Sequence, residues 1–467
     1  MSASAAGEPT LERNHFLIDA DPTLGMMAKT NPPAGWWKNS CHTGVSASPP
    51  DMTGGYLDLA AARSGEPWWR MSLTDLGPDI ANAAADLDAE TIELRRAIHA
   101  DPELGLDLPE TQKKITDALT GLGLDITLGE SLTSVVADLD TGKPGPTVLL
   151  RGDMDALPLQ EDNPIDFKSQ HDGRMHACGH DAHVAMLVSA ARLLAANKDS
   201  LTGKVRFMFQ PGEEGFHGAK YMIEEGVLEG VDRAFAIHVF TNFPSGQFAI
   251  RDGAILASAD KFDITIHGAG GHASAPHQCT DPIPALGATI TGLHTMVGRS
   301  IEATKSGLVT VAHVEAGTTN NIIPPKAWME GTIRSHDEET RETLKTNVAR
   351  VAEGMAAAHG CTCTTDITPG YPVTINHEGQ TELVGQVTSS VLDQVVTVMP
   401  NPVMGAEDFS YVLQQVPGSM AMLGVCPEGE DFRTTAPNHS NFMTINESAL
   451  QKGVALYAGM ALAGEGH

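Results

Sequence analysis

The sequence predicts an α/β protein, built on a mixed, largely parallel sheet flanked by helices and carrying a smaller inserted α+β domain. Three observations predict it. Short apolar runs alternate with helical patterns from about residue 78, as strands joined by covering helices do. Between about 259 and 369 the strand-like runs instead alternate apolar and polar residues, which marks strands with one buried face. The chain is 467 residues long, and at about 150 residues per domain this gives two or three domains.

Residues 1–77 are rich in Gly, Pro, Ser and Ala, carry the isolated pairs Trp36–Trp37 and Trp68–Trp69, and show no sustained period. A poorly ordered N-terminal extension is expected there. Met71-Ser-Leu-Thr reads like an ordinary protein beginning, so the upstream stretch is expected to be an over-long start assignment, which N-terminal sequencing of the native protein checks. Leu87, Ile92, Leu94 and Ile98 then mark a polar amphipathic helix. Thr147 to Leu150, Val205 to Phe209 and Ala234 to Val239 read as buried strands. After His180, the positions Val184, Leu187, Val188, Ala191, Leu194 and Ala195 follow the spacing of one helix face. Lys261 to His267, Glu330 to Arg334 and Cys361 to Ile367 alternate as one-sided strands. The expected organisation is a first part of the main domain over 78–258, an inserted domain over 259–369, and a second part over 370–467.

Composition narrows the partners. With 30 Lys+Arg against 59 Asp+Glu the formal charge is -29, which disfavours a nucleic-acid backbone or an anionic membrane surface. No run of roughly 18 apolar residues occurs, and the first twenty residues lack the basic start and apolar stretch of a secretory signal. The cysteines Cys41, Cys178, Cys279, Cys361, Cys363 and Cys426 are sparse and irregularly spaced. They do not read as a disulfide framework, and a reducing cytoplasm is expected.

The stretch Arg151-Gly-Asp-Met-Asp-Ala-Leu-Pro sets Asp153 and Asp155 just after a buried strand, and His176, Cys178, His180 and His183 crowd into the segment that follows. Cys178 and His180, separated by Gly179, can converge on one ion from a turn, and thiolate with imidazole suits Zn, Mn, Co or Ni better than Mg or Ca. The bland alternative is a buried thiol beside helix-capping polar residues. Phe209-Gln-Pro-Gly-Glu-Glu-Gly215 then sets two carboxylates side by side in a turn. Such acids repel unless a cation or shared proton offsets them, although solvated acidic turns are common. His238 ends an apolar run and His439 lies in Pro437-Asn-His-Ser-Asn-Phe; each alone reads as an ordinary core or loop histidine. Their combination is informative because Asp155, Glu214 and His238 all fall at or just beyond the carboxyl ends of predicted strands, where open α/β sheets gather ligands. Cys361 and Cys363 lack a matching second pair and read as strand packing. The sequon Asn438-His439-Ser440 sits beside a proposed ligand, which fits a chain that never meets the glycosylation machinery.

These segments, together with Gly-Gly-His-x-x-x-Pro-His and Asn-x-Ile-Pro, resemble the dinuclear metallo-amidohydrolases that include hippurate hydrolase, N-acyl-amino-acid amidohydrolases and auxin-conjugate hydrolases, relatives of aminoacylase and carboxypeptidase G. The resemblance covers about 80 to 460 in order. It implies that Cys178, His180, Glu214, His238 and His439 hold two divalent transition-metal ions, that Glu213 is the general base, and that Asp155 orients a ligand histidine. It also implies that the inserted domain is a lid that makes a homodimer. His272, in Gly268-Ala-Gly-Gly-His, matches a histidine that stabilises the oxyanion, commonly in the partner subunit's site. Asn321 and Arg334 match lid residues that bind the carbonyl and the substrate carboxylate; for Arg334 an ordinary surface arginine competes equally. Glu407, in Met404-Gly-Ala-Glu-Asp-Phe-Ser, matches an active-site or supporting carboxylate, and a helix N-terminal acid competes with it. The departures are mild: Gly212 stands where alanine is usual, and Ala273-Ser274 follow His272.

The expected activity is hydrolysis of the amide bond of an N-acyl or N-aroyl amino acid or related small conjugate. A dipeptidase or carboxypeptidase acting on short peptides differs only in what the pocket accepts. A catalytically silent metal-binding scaffold is the alternative from another class, against which the retained Glu213 argues.

Overall fold

Of the three apolar runs read from the sequence as buried strands, Thr147 to Leu150 lies between the other two and pairs with both. The structure, a computed structural model, describes residues 73–463. It begins with helices α1 (Leu73–Asp86), α2 (Asp88–His99) and α3 (Pro109–Leu119), then strands β1 (Asp125–Leu128), β2 (Val135–Asp140) and β3 (Thr147–Asp153). Next come α4 (His180–Ala196), β4 (Lys204–Gln210), α5 (Gly218–Glu224), β5 (Arg233–Phe240), β6 (Phe248–Ile250) and β7 (Gly253–Leu256). The middle holds β8 (Ser258–His267), β9 (Gly271–His272), α6 (Pro282–Ser300), β10 (Gly307–Ala316), β11 (Ile322–Ile323), β12 (Lys326–Ser335), α7 (Glu338–Ala358) and β13 (Thr362–Thr368). The chain closes through β14 (Thr374–Asn376), α8 (Glu378–Leu392), β15 (Thr397–Val398), α9 (Ser410–Leu413), β16 (Gly418–Gly424) and α10 (Leu450–Leu462). Most of the expected N-terminal extension, and Cys41 with it, lies outside the described residues, whereas residues 73–77 of that span already belong to α1.

The main sheet is mixed, in the order β1-β2-β4-β3-β5-β16-β6-β15. Its centre, β4-β3-β5-β16, is parallel throughout, and the antiparallel pairs lie towards the edges. Alternate residues of the central strands feed two cores. Val148, Leu150, Phe207 and Phe209 pack on one side and Leu149, Met208, Ala234 and Ala236 on the other, which is why these strands read as continuous apolar runs. Helix α4 departs from the one apolar face its spacing predicts. It packs against β3, α2 and α10 and is buried on nearly all sides, so its small residues Ala185, Ser189 and Ala190 face packed neighbours instead of water.

The second sheet, in the order β10-β12-β8-β13, is antiparallel throughout. Phe262, Ile264, Ile266, Met329 and Ile333 of its inner face pack with Leu293, Leu344 and Val348 of α6 and α7, and the polar residues between them face outward. The alternation read from the sequence is this one-sided burial. The chain crosses between the two sheets at residues 256–260 and again at 368–372, where the Ala259 N–H donates to the Tyr371 carbonyl at 2.9 Å. Among the described residues no helix is long and apolar enough to cross a membrane.

Candidate metal centre

The site forms where β3, β4 and β5 end together. Asp153 pairs in register with Gln210 at the last residues of β3 and β4, so Asp155 and the turn carrying Glu213 and Glu214 emerge side by side at the carboxyl edge, with His238 near the end of β5. Cys178 and His180 arrive on the N-terminal turn of α4, separated by Gly179 at φ +91°. A Cβ on Gly179 would lie 2.3 Å from a Val239 methyl carbon, so only glycine allows both neighbours to turn inward here. His439 comes from a distant loop stitched onto the same place. The Asn438 amide donates to the carbonyls of Cys178 (3.0 Å) and Val239 (2.9 Å), and the His439 N–H donates to that of Ala177. A glycan on Asn438 would take one of the two amide hydrogens that make these bonds.

The five expected ligands converge. Ligand atoms of Cys178, His180 and His238 lie within 4.8 Å of one another, as do those of Cys178, Glu214 and His439. The sulfur belongs to both sets. Nδ1 of His180 donates to the Asp155 carbonyl at 2.8 Å and Nδ1 of His238 to the Val239 carbonyl at 2.9 Å. Carbonyls only accept, so in both neutral rings the lone pair is on Nε2; in His238 it faces the Cys178 sulfur at 3.4 Å. Nε2 of His180 and Oε1 of Glu214 are buried without hydrogen-bond partners. The first sits 3.3 Å from Asp153 Oδ2 and the second 3.3 Å from His439 Nε2, contacts that lack hydrogen-bond geometry. Burial pushes the Cys178 thiol up to about 12, so a thiolate there requires a cation beside it. One thiol, three imidazoles and one carboxylate, two of them with buried ligand atoms that lack a hydrogen-bond partner, fit transition-metal ions.

The other histidines of the motif do different work. Nε2 of His183 accepts from the Val239 N–H at 2.9 Å while its Nδ1 donates to Asp153 Oδ1 at 2.5 Å, so no lone pair is left for a metal. His176 is buried with both ring nitrogens unpartnered and its ring centroid lies 6.3 Å from that of His99. The density of imidazoles in the sequence therefore overstates the ligand count.

Asp155 meets His180 through its backbone carbonyl at 2.8 Å, with a carboxylate oxygen 3.7 Å from the same Nδ1; the carboxylate accepts from the backbone N–H groups of Glu213 (2.8 Å) and Glu214 (3.0 Å). It thus holds the acidic turn. Glu213 is buried, and burial followed by the charges of Glu407, Glu214 and Asp408 pushes its carboxyl well above the usual range; nearby cations would act in the opposite sense. Burial also favours the neutral form of Glu214, but the contact with His439 and the charge of His180 hold it below the usual range. Behind the turn lies a buried charge hub that sequence reasoning largely missed. Arg151 donates to Gln210 (2.9 Å), Asp153 (2.8 Å), Glu407 (2.8 Å) and Asp408 (3.0 Å), and Asp408 also accepts from the Ala219 N–H at 2.9 Å. Glu407 accepts from the Phe409 N–H at 3.0 Å as well. An arginine directly after the apolar run Thr147 to Leu150 was the available signal.

The site opens into a cavity of about 600 Å³ lined from both sheets. The main sheet side contributes Cys178, Glu213, Glu214, His238, Phe240 and His439, and the second sheet contributes Lys261, Thr332 and Arg334. Arg334 is half-buried, and among the described residues its guanidinium makes no hydrogen bond or ion pair; burial lowers its pKa against the opposing charge of Asp260. His272 and Asn321 do not join this cavity. His272 is exposed on β9, next to Asn321 at the start of β11, and its Nδ1 accepts from Ser274. The two are held together, but outside the cavity of their own chain.

A profile of the peptidase family M20/M25/M40 matches residues 149–463. The chain is 41% identical over 392 residues to thermostable carboxypeptidase 2 of Saccharolobus solfataricus, spanning 83% of this chain and 98% of that protein. It is 39% identical to the IAA-amino acid hydrolase ILR1-like 2 of Arabidopsis thaliana, over 87% of this chain and 92% of that one. Among solved structures it is similar to YxeP of Bacillus subtilis, described as a dinuclear metal-binding peptidase, with a TM-score of 0.70, 33% identity, and coverage of 81% and 98% of the two chains. The chain belongs to the peptidase family M20/M25/M40 and is a metal-dependent amidohydrolase.

Proposed function

We propose that this protein hydrolyses the amide bond of N-acyl or N-aroyl amino acids and related small conjugates. The observation that carries the reading is a thiol shared by two ligand sets, with a buried carboxylate beside it and an unpaired guanidinium in the same cavity. Two divalent ions, of Zn, Mn, Co or Ni, held by Cys178, His180, Glu214, His238 and His439 would polarise the amide carbonyl and acidify water. Glu213 takes the proton of the attacking water and returns it to the leaving amine nitrogen. Asp155 keeps Glu213 and Glu214 in place through their amides. Arg334 receives the substrate carboxylate, and the apolar wall of Phe240, Leu256 and Met404 faces the acyl group.

Residues 259–369 act as the lid and dimerisation domain between the main-domain segments 73–258 and 370–467. Support for the lid comes from its separate core and its two crossings. In a homodimer, His272 and Asn321 would serve the partner's site, one binding the oxyanion and the other the carbonyl. Their exposure away from the cavity of their own chain supports this. Cytoplasmic residence is supported by the free thiols of all five described cysteines.

The similarity to a carboxypeptidase favours a second reading, cleavage of short peptides by the same machinery. Hydrolysis of a panel of N-acyl amino acids and dipeptides by the metal-loaded protein tests both. Faster turnover of dipeptides than of every acyl amino acid would select the second, and turnover unaffected by Glu213→Gln would remove the assigned base from either.

A further inference from the structure

We propose that Tyr371 is a positioning residue that ties the Glu213–Gly215 turn to the segment returning from the second sheet, so that the set of the Glu213 carboxylate depends on that crossing. The inference rests on the reading of Glu213 as the base. The Tyr371 hydroxyl donates to the Glu213 carbonyl and accepts from the Gly215 N–H at 2.8 Å. That N–H also reaches the Glu213 carbonyl at 2.7 Å, so the hydroxyl closes a tight reversal of the chain directly around the two glutamates. Asp155 takes the other two amides of the turn, those of Glu213 and Glu214. Asp155 belongs to the main sheet, whereas Tyr371 belongs to the crossing.

The crossing has little slack. The Tyr371 carbonyl accepts from Ala259 at the outgoing crossing, and a Cβ on Gly370 would lie 2.0 Å from the Ala259 carbonyl oxygen. The Gly370 N–H donates to Asp260 at 3.1 Å, and its carbonyl accepts from Arg341 and from the Tyr411 hydroxyl, each at 3.2 Å. The Tyr371 ring meets His217 edge-on with centroids 5.0 Å apart. Movement of the second sheet at this point is therefore transmitted by one phenol to the backbone of Glu213, and a misplacement of about 1 Å at a reacting group can cost on the order of a hundredfold in rate.

Tyr371→Phe and Tyr411→Phe in the full chain separate this from a general role in packing. Both remove a hydroxyl at the same crossing, but only the first touches the Glu213–Gly215 backbone; the Tyr411 hydroxyl instead meets Nδ1 of His217 at 3.1 Å. In Tyr371→Phe we expect kcat to fall about ten- to a hundredfold with KM within about twofold, and amide exchange in a peptide covering 211–216, which leaves out His217, to quicken about tenfold. Tyr411→Phe should change neither. Unchanged exchange and kcat in Tyr371→Phe, an equal loss of kcat in Tyr411→Phe, or failure of Tyr371→Phe to fold would each overturn the proposal. Failure of the base reading looks different. The parent protein would hydrolyse nothing, or Glu213→Gln would remain active, while the exchange comparison still decides whether Tyr371 holds the turn.

Discussion

The sulfur of Cys178 lies 3.4 Å from Nε2 of His238, and the same sulfur is within reach of Glu214 and His439. One side chain therefore belongs to both halves of the proposed centre. Cys178→Ala should cost both ions and lower activity by more than about a hundredfold, beyond the ten- to hundredfold typical of residues that only support a ligand. Metal analysis of the dialysed variant checks this; retention of both ions would refute the shared sulfur.

Asp155 holds the acidic turn through two backbone N–H groups. Asp155→Asn replaces one acceptor with a donor facing an N–H, leaving a buried group unpaired. The expected cost is about 1–3 kcal/mol of stability together with a loss of kcat. Thermal unfolding and steady-state kinetics measure the two, and a variant with the parent's midpoint and kcat would contradict the assignment.

Arg334 is a half-buried cation in the cavity that has no hydrogen bond or ion pair among the described residues. Arg334→Ala should weaken use of carboxylate-bearing substrates by about 1.5–3 kcal/mol, the scale of a hydrogen bond to a charged group. The corresponding amide-blocked substrates should be nearly unaffected. Equal losses for both would assign Arg334 to structure.

Away from the site, Asp138 accepts from Arg206 through both carboxylate oxygens at 2.8 Å. Burial alone would raise its pKa, but the bonds and charge of Arg206, with Lys204, hold it below the usual carboxylate range. A depressed folded-state pKa means that the stabilisation is present above the unfolded pKa of about 4 and is lost as pH falls through the lower folded value. After solvent screening it is about 1 kcal/mol. Asp138→Asn should therefore melt below the parent near neutral pH, and the gap should close in strong acid; a constant gap would contradict the sign.

The legibility of the sequence followed the range of the interactions. Buried parallel strands were readable because both faces are apolar, and Cys178, His180 and Glu214 were readable because the ligands sit next to strand ends or a glycine turn. Glu213 and Glu214 could be told apart only by family resemblance, since adjacent carboxylates have the same local signature; in space one meets His439 and the other the Glu407–Asp408 pair. The Arg151 hub joins residues more than 250 positions apart, and no local pattern announces such a pairing. The same holds for Tyr371, whose partners lie across the crossing. His183 was left without a role in the sequence reading, and in space it is bonded at both ring nitrogens.

The most direct test of the two-ion centre is reconstitution of the chelator-stripped protein with Zn, Mn, Co or Ni, following bound metal and hydrolysis of an N-acyl amino acid together. Activity that returns as two equivalents per chain bind, and is absent in Glu213→Gln despite full loading, is the predicted result. Hydrolysis by the fully stripped protein, or full activity in Glu213→Gln, would contradict it.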